Sequence, residues 1–421
     1  MLRQRLEYMV IQNVSASAPK TPTGKCNFMK LLFNTESLTP PLTGIGNYTF
    51  NLIEQLQNRN IEQIDCFIGA KVYSSHEALD NCKVLGNRYT RKNNEKKSGS
   101  PPINMRSIVR GWALAYRARE LLRNAQLRLR AKEFRHHIYH EPNFMLKPHL
   151  GPCVATIHDL SFIQYPQFHP KERVAWLSSQ LPKTLKRADF LITDSNIIRD
   201  ELISDFKVNP DRVRTVYLGA SKTYKPQNSE QTISVLDHYG LKHGKYILFV
   251  GTLEPRKGVE TLINAWCNLP LALREEFPLV LAGAPGWHNQ ELIDRINFLQ
   301  ATQTLRRLSF VSSSDLPSLY AGAAVFIYPS VYEGFGLPVL EAIQSGVATI
   351  CTKDTSMAEF TNGNVILVER NNDEELNAEL GELLTNGQKR QELAMAGLQR
   401  SREFSWERCA DETIDIYKAI N

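Results

Sequence analysis

Nine short apolar runs constrain this chain's fold more than any other feature. They read KLLFN (30–34), IDCFIG (64–69), PCVATIH (152–158), DFLITD (189–194), YILFVG (246–251), PLVLAG (278–283), AVFIYPS (324–330), VATICT (347–352) and NVILVE (364–369). Most are continuous stretches of Val, Ile, Leu and Phe rather than apolar–polar alternations, the pattern of parallel strands covered on both faces. Stretches with helical periodicity separate them, so the chain is expected to form βαβ units and open parallel sheets, an α/β fold. The rhythm breaks over 219–243, GASKTYKPQNSEQTISVLDHYGLKH, which is polar and weakly periodic and reads as a linker. The 421 residues then divide into an N-terminal half at 29–220, a linker at 221–243, a second half at 244–403 and a closing segment at 404–421. Residues 1–28 have no signal-peptide apolar core and are expected to be a disordered extension. Two open sheets that face each other leave a cleft at the carboxyl ends of their strands, where ligands bind.

Composition narrows the function classes. The seven cysteines are scattered and form no C-x-x-C pair, which argues against a disulfide framework or a zinc site and for a reducing compartment. No apolar run approaches the ~18 residues of a spanning helix. Positive charge is concentrated: 88–137 holds fourteen Lys and Arg against three Glu, although the whole chain carries only +6. Within it, 106–134 reads as a basic helix with Ile108, Trp112, Ala115, Leu122, Ala125 and Leu129 along one side. Such a helix suits an anionic membrane surface; the alternative is a domain helix whose apolar stripe packs inward. No groove-reading or base-stacking motif accompanies it, so nucleic acid is not expected as a partner.

Five segments fall where strands should end or helices begin. In LTGIGNYTFNLIEQL (42–56), Gly44 and Gly46 open a helix whose N-terminus could meet a phosphate; a simple glycine turn explains them equally well. VGTLEPRKGVETLINAW (250–266) places Arg256 and Lys257 between a strand and a helix, a pairing suited to a diphosphate; the alternative is a solvated charged turn, and the position after the strand favours the site. In VYEGFGLPVLEAIQSG (331–346), Gly334 and Gly336 expose main chain, Pro338 begins a helix, and Glu333 and Glu341 offer acceptors for polyol hydroxyls. ATIHDLSF (155–162) brings His158 and Asp159 to a strand's carboxyl end, where a structural histidine and a cleft residue are equally good readings. HHIYHEPNF (136–144) lacks zinc spacing; it reads as the end of a strand, with His140 and Glu141 near the cleft. No Asp-x-Asp occurs, so no metal–diphosphate clamp is expected.

Together these pieces resemble the retaining glycosyltransferases of family 4. The resemblance rests on TGIGNYTFNL, HEPNF, HDLSF, ITDSNIIRDEL, VGTLEPRKG, LAGAPGW, LPSLYAGAAVFIYPSVYEGFGLPVLEAIQSG and the late FSW, and runs through nearly the whole chain from Met29. It implies a GT-B fold: two Rossmann-like domains facing across a cleft, with the segment after FSW a helix crossing back to the first. It also implies roles. Glu333 would contact the donor sugar, with the Gly334, Phe335, Gly336 and Leu337 backbone around its hydroxyls. Glu341 would hold the ribose, Arg256 and Lys257 the diphosphate, and Gly44 and Gly46 the closing first domain. His158 would lie against the transferred sugar, and His140, Glu141 and Asp159 on the acceptor side. Many relatives carry Arg directly after the strand glycine, where this chain has Thr252.

The details HDLSFIQYPQFHP and VGTLEPRKG look most like bacterial mannosyl- and rhamnosyltransferases of polysaccharide assembly. The implied donor is GDP-mannose or a related GDP-sugar. No cofactor or metal is implied, and the acceptor would be a lipid-linked oligosaccharide met by a cytoplasmic protein peripheral to the inner membrane. A UDP-sugar-dependent transferase of the same fold, or a non-catalytic membrane-associated assembly subunit, are the alternatives.

Overall fold

The computed structural model describes residues 29–40, 42–95, 123–284, 286, 290–308 and 311–420. The expected extension at 1–28 and most of the basic segment lie outside these residues. The first sheet contains β1 (Lys30–Asn34), β2 (Gln63–Ile68), β3 (Lys71–Ser74), β4 (Ile138–Glu141), β5 (Cys153–Ile157), β6 (Phe190–Thr193) and β7 (Val213–Thr215), in the order β3-β2-β1-β4-β5-β6-β7. All neighbours pair in parallel except β2 and β3, which form an antiparallel edge. The second sheet contains β8 (Ile247–Val250), β9 (Leu279–Ala282), β10 (Leu305–Leu308), β11 (Val325–Tyr328), β12 (Ala348–Thr352) and β13 (Ile366–Val368), all parallel, in the order β10-β9-β8-β11-β12-β13.

The nine apolar runs all became strands. Of the strands they did not announce, β3, β7 and β10 are sheet edges with half-exposed positions, such as Arg306 and Arg307 in β10. An edge strand needs no continuous apolar run, so it leaves a weaker mark in the sequence. In both sheets the order reverses in the middle, between β1 and β4 and between β8 and β11. These switch points face the cleft with their carboxyl ends, the usual ligand crevice of an open parallel sheet.

The stretch expected to be a linker is only partly one. Ser229–His238 is a helix with a full capping box, in which Asn228 and Gln231 each bond the other's backbone amide. Leu236 and Leu241 are buried in the core. Leu236 is the one buried apolar residue inside the helix, with Leu241 just beyond it, too little to show helical periodicity, although the N-x-x-Q signature of the cap was present.

The chain does cross back. Helix Trp406–Ile420 packs on helix Gly44–Gln57 of the first half. Arg59 clamps it there, with Nε donating to Asp411 at 3.0 Å and Nη2 to the Glu407 carbonyl at 2.8 Å. Val331 and Tyr332, from the loop after β11, are buried in an apolar cluster that otherwise belongs to the first half. The halves are therefore in contact beside the switch points.

Candidate active site

Strand β11 is fully buried, and the chain leaves it through Pro329 and Ser330 into the loop carrying Glu333. Arg256 and Lys257 reach the same place from the turn Pro255–Lys257 that follows β8. Lys257 Nζ pairs with Glu333 Oε1, and Arg256 Nη1 lies 3.3 Å from Oε2. The Ser330 hydroxyl stands 2.7 Å and the Tyr328 hydroxyl 3.3 Å from Oε1. Arg256 also donates to the Tyr332 carbonyl at 2.9 Å and faces Glu254 at 3.3 Å. Burial by itself would raise the Glu333 pKa; Lys257 and Arg256 outweigh it and hold the carboxyl down to about 2. Two cations and two carboxylates thus balance in a nearly dry pocket, in which Arg256 Nε is buried without a hydrogen-bond partner.

The glycines around Glu333 are needed for two different reasons. A Cβ on Gly334 would sit 1.7 Å from the His158 carbonyl oxygen of the opposite half. Gly336 has φ +103, and a Cβ there would meet Met357 Cγ at 2.4 Å. The Phe335 ring turns into the core and stacks on Phe360 at 4.5 Å, so only its backbone faces the loop surface. Leu337 begins helix Leu337–Gln344. Ser356 Oγ lies 2.8 Å from the Glu333 carbonyl and 3.0 Å from that of Phe335, tying the loop to helix Ser356–Thr361.

Glu341 sits one turn into its helix, apart from the Glu333 cluster. Tyr320 donates to its Oε2 at 2.9 Å, Tyr224 bonds it from the start of the second half, and burial pushes the carboxyl up to about 7. Gly46 packs against the Ser37 carbonyl, where a Cβ would stand at 2.7 Å, whereas a Cβ on Gly44 would meet nothing within 4 Å. Packing therefore explains Gly46 but not Gly44. The N-cap of that helix, Thr43, makes no side-chain capping bond.

His158 is at the cleft, but its ring points inward. Nδ1 lies 2.7 Å from Asp194 Oδ2 and Nε2 2.8 Å from the Pro142 carbonyl. Both partners can accept, so both ring nitrogens are placed to donate, an arrangement that favours the charged ring. Burial opposes that charge, but Asp194 outweighs it and raises the pKa. What His158 presents to Gly334 is its main chain. Asp159 Oδ1 accepts from the Ser161 amide at 3.0 Å and lies 2.8 Å from the Ser161 hydroxyl.

The structure separates His140 from this group. It has no exposed surface; Nδ1 meets Tyr417 OH at 2.5 Å and Nε2 meets Thr156 Oγ1 at 2.8 Å. Burial lowers its pKa to about 3, so it is a neutral core residue beneath the returning helix. Glu141 is also buried, held by Asn34 at 2.9 Å and Tyr139 at 2.5 Å, with its carboxyl pushed up to about 7 by burial. It still lines a small recess with Glu36, Ser37 and Asn143 at the first switch point.

Several participants were not read from the sequence. Ser330, Tyr328 and Glu254 complete the Glu333 cluster, and Asp194 fixes His158. Asp194 closes the apolar run DFLITD, which was its available signal. Tyr332 crosses to the first half, where its hydroxyl donates to Glu201 at 2.5 Å and accepts from the Leu160 amide at 3.1 Å. Beside it, a cavity of about 170 Å³ opens between Gln164 and Glu201 on one side and Glu333, Thr355 and Arg370 on the other.

Comparison with known proteins identifies the family and the fold. A profile described as Glycosyltransferase Family 4 matches residues 42–222, and one described as Glycosyl transferases group 1 matches 238–400. The O-antigen chain mannosyltransferase B of Escherichia coli is 34% identical over 393 residues, 93% of this chain and 100% of the relative. The serotype-specific mannosyltransferase WbdA of the same species is 30% identical over 242 residues, 56% of this chain but 29% of that protein. Among solved structures, Anabaena HepE in complex with UDP and glucose superposes with a TM-score of 0.67 at 16% identity, covering 93% of this chain and 99% of that one. WaaG, a glycosyltransferase involved in lipopolysaccharide biosynthesis, gives 0.64 at 16% identity, covering 92% and 99%. With one relative aligned along its entire length and both facing sheets matched, the chain belongs to the family 4 glycosyltransferases and has their GT-B fold.

Proposed function

We propose that this enzyme transfers mannose, or a closely related sugar, from a GDP-sugar to a lipid-linked oligosaccharide in bacterial surface polysaccharide assembly, with retention and without a metal. The observation that carries the reading is the convergence of Arg256 and Lys257 on Glu333 at the second switch point. The sugar and the pathway are taken from the full-length relative named O-antigen chain mannosyltransferase B.

Without donor, the two cations are occupied by Glu333. A diphosphate carries more charge than one carboxylate and draws Arg256 and Lys257 to itself. Glu333 is then released toward the sugar hydroxyls, with the Gly334–Leu337 backbone beside it and Glu341 on the ribose. As the sugar–phosphate bond breaks, positive charge grows at the anomeric carbon and negative charge on the leaving diphosphate, which the fixed cations stabilise. The acceptor hydroxyl attacks from the face the phosphate leaves, and the departing phosphate takes its proton. Closure of the halves excludes water from the reaction. Gly44, which packing does not require, leaves room for a phosphate at its helix N-terminus.

The donor is tested by thermal unfolding with GDP, UDP and ADP. A nucleotide at about 100 times its Kd adds about 2.7 kcal/mol of stability. We expect GDP to give the largest shift and the Arg256→Ala/Lys257→Ala variant to lose it. A shift with UDP alone would favour the UDP-sugar alternative.

The basic segment supports contact with an anionic membrane from the cytoplasmic side. No helix among the described residues is long and apolar enough to cross a membrane. Of the expected helix at 106–134, residues 123–130 are helical, 131–134 form turns rather than helix, and 106–122 lie outside the described residues. Leu127, Ala131 and Phe134 pack inward. Leu129 is 85% exposed and, with exposed Ala125, forms a stripe that packing leaves unused, beside exposed Arg128, Lys132 and Arg135. Sedimentation with vesicles containing about 30% anionic lipid should retain the wild type and lose most of a Arg128→Glu/Leu129→Ser/Lys132→Glu variant, since each basic residue near such a surface contributes about 1 kcal/mol. Equal retention of both would exclude this surface.

A further inference from the structure

Helix Asn196–Phe206 belongs to the first half, yet its first two amides are satisfied from the second. Glu359 Oε1 accepts from Asn196 N at 2.8 Å, and Oε2 accepts from Ile197 N at 3.0 Å. The Tyr217 hydroxyl donates to Oε1 at 2.7 Å. The helix's own N-cap, Ser195, reaches only the third amide, Ile198 N, at 3.4 Å. A helix N-terminus presents unpaired amides and partial positive charge, which a carboxylate satisfies with charge-assisted bonds. Here the carboxylate is supplied across the cleft.

The chain on both sides of this contact leads directly to the site. Two residues before Asn196, Asp194 holds the His158 ring. Three residues before Glu359, Ser356 ties down the carbonyls of Glu333 and Phe335. Between them, Met357 fills the space against Gly336. One helical turn therefore joins the Glu333 loop to the cap, and two residues join the cap to the support of His158. Gly334 and His158, which those segments carry, meet across the cleft.

We propose that Glu359 is a positioning residue, a helix cap supplied across the cleft that closes the two halves in the register bringing the Glu333–Gly336 loop against His158. It acts through these segments and touches neither donor nor acceptor. The proposal rests on the reading that the Glu333 loop grips the donor sugar.

The test uses the full chain and combines kinetics with small-angle X-ray scattering at saturating nucleoside diphosphate, GDP and UDP in parallel. Glu359→Ala is expected to lower kcat by about 10- to 100-fold, the cost of misplacing reacting groups by about 1 Å. The donor KM should change less, and the radius of gyration should exceed that of the wild type. Glu359→Gln keeps one acceptor and should fall between. Glu359→Lys opposes the helix N-terminus and should be at least as impaired as the alanine variant.

Asn196→Pro removes one of the capped amides at the first helical position, where proline is tolerated and where Ser195 is already extended. Asn196→Ala controls for the lost side chain, which bonds Tyr217 and Thr215. In the Glu359→Ala background, Asn196→Pro should cost no more than Asn196→Ala. Wild-type kcat and scattering in Glu359→Ala, or full additivity with Asn196→Pro, would overturn the proposal. A Glu333→Ala variant that kept full transfer would instead remove the reading of the sugar loop, while scattering would still report on the cap.

Discussion

Replacing Lys257 with methionine is expected to lower kcat by about 10²–10³-fold in a protein that remains folded. Lys257 is 8% exposed and shares Glu333 with Arg256. If the pair neutralises the leaving diphosphate, removing one fixed donor takes away stabilisation that grows only as the bond breaks, and losses of this size are typical. The loss should therefore appear in kcat more than in donor KM. Stability should change modestly. Removing one partner of an isolated buried pair costs about 3–5 kcal/mol, but Glu333 keeps Arg256, the Ser330 hydroxyl and the Tyr328 hydroxyl, so about 2 kcal/mol is expected. Methionine fills much of the volume, which separates loss of charge from loss of packing. Steady-state kinetics beside a urea titration distinguishes the two effects. A kcat within threefold of wild type would mean that another cation holds the diphosphate.

Gly334→Ala should be nearly as damaging to activity and almost neutral to folding. Its Cβ would lie 1.7 Å from the His158 carbonyl oxygen. Ordinary van der Waals contact for a Cβ begins at 3.4 Å, so one methyl holds the halves apart by more than about 1 Å. Misplacement of that size costs about 10²-fold in rate. Each half has its own sheet and helices, so the melting temperature should move by no more than a few degrees. Full activity in this variant would mean that the reactive arrangement is more open at this point than the one described here.

The two substitutions probe residues that differed in how much the sequence revealed. Arg256 and Lys257 were legible by position: an adjacent cation pair is ordinarily a solvated turn, but chain order places this one at the carboxyl end of a buried strand. Glu333 was legible for a similar reason, flanked by two glycines in a strand's exit loop. The use of Gly334 was not, because its neighbour is 176 residues earlier in the chain. The His158 main chain does lie against Gly334 of the other half, but its ring direction depends on Asp194, 36 residues away. His140 looked like a cleft residue from its place at a strand's end. Its ring meets Tyr417, 277 residues later, in the crossing helix; that the helix returns was expected, but not which strand residue its tyrosine would cover.

The linker shows the opposite difficulty. Ser229–His238 is polar enough to look unstructured, since Thr232 and Leu236 are its only buried residues. Its stability comes from docking on helix Leu316–Ala321 and from its capping box rather than from an apolar face of its own.

By itself the sequence determined the α/β class, the two halves and the central strands. A strand covered on both faces must be apolar along its length, and that requirement is written locally. It also determined which residue types stand at the strand ends, since loop length and strand order leave them little choice. Only the tertiary structure decided the pairings across the cleft. Gly334 against His158, Tyr332 on Glu201 and Glu359 on the first amides of a distant helix depend on the two halves meeting in one register, and no local run of residues encodes the direction in which a side chain of one half meets the other.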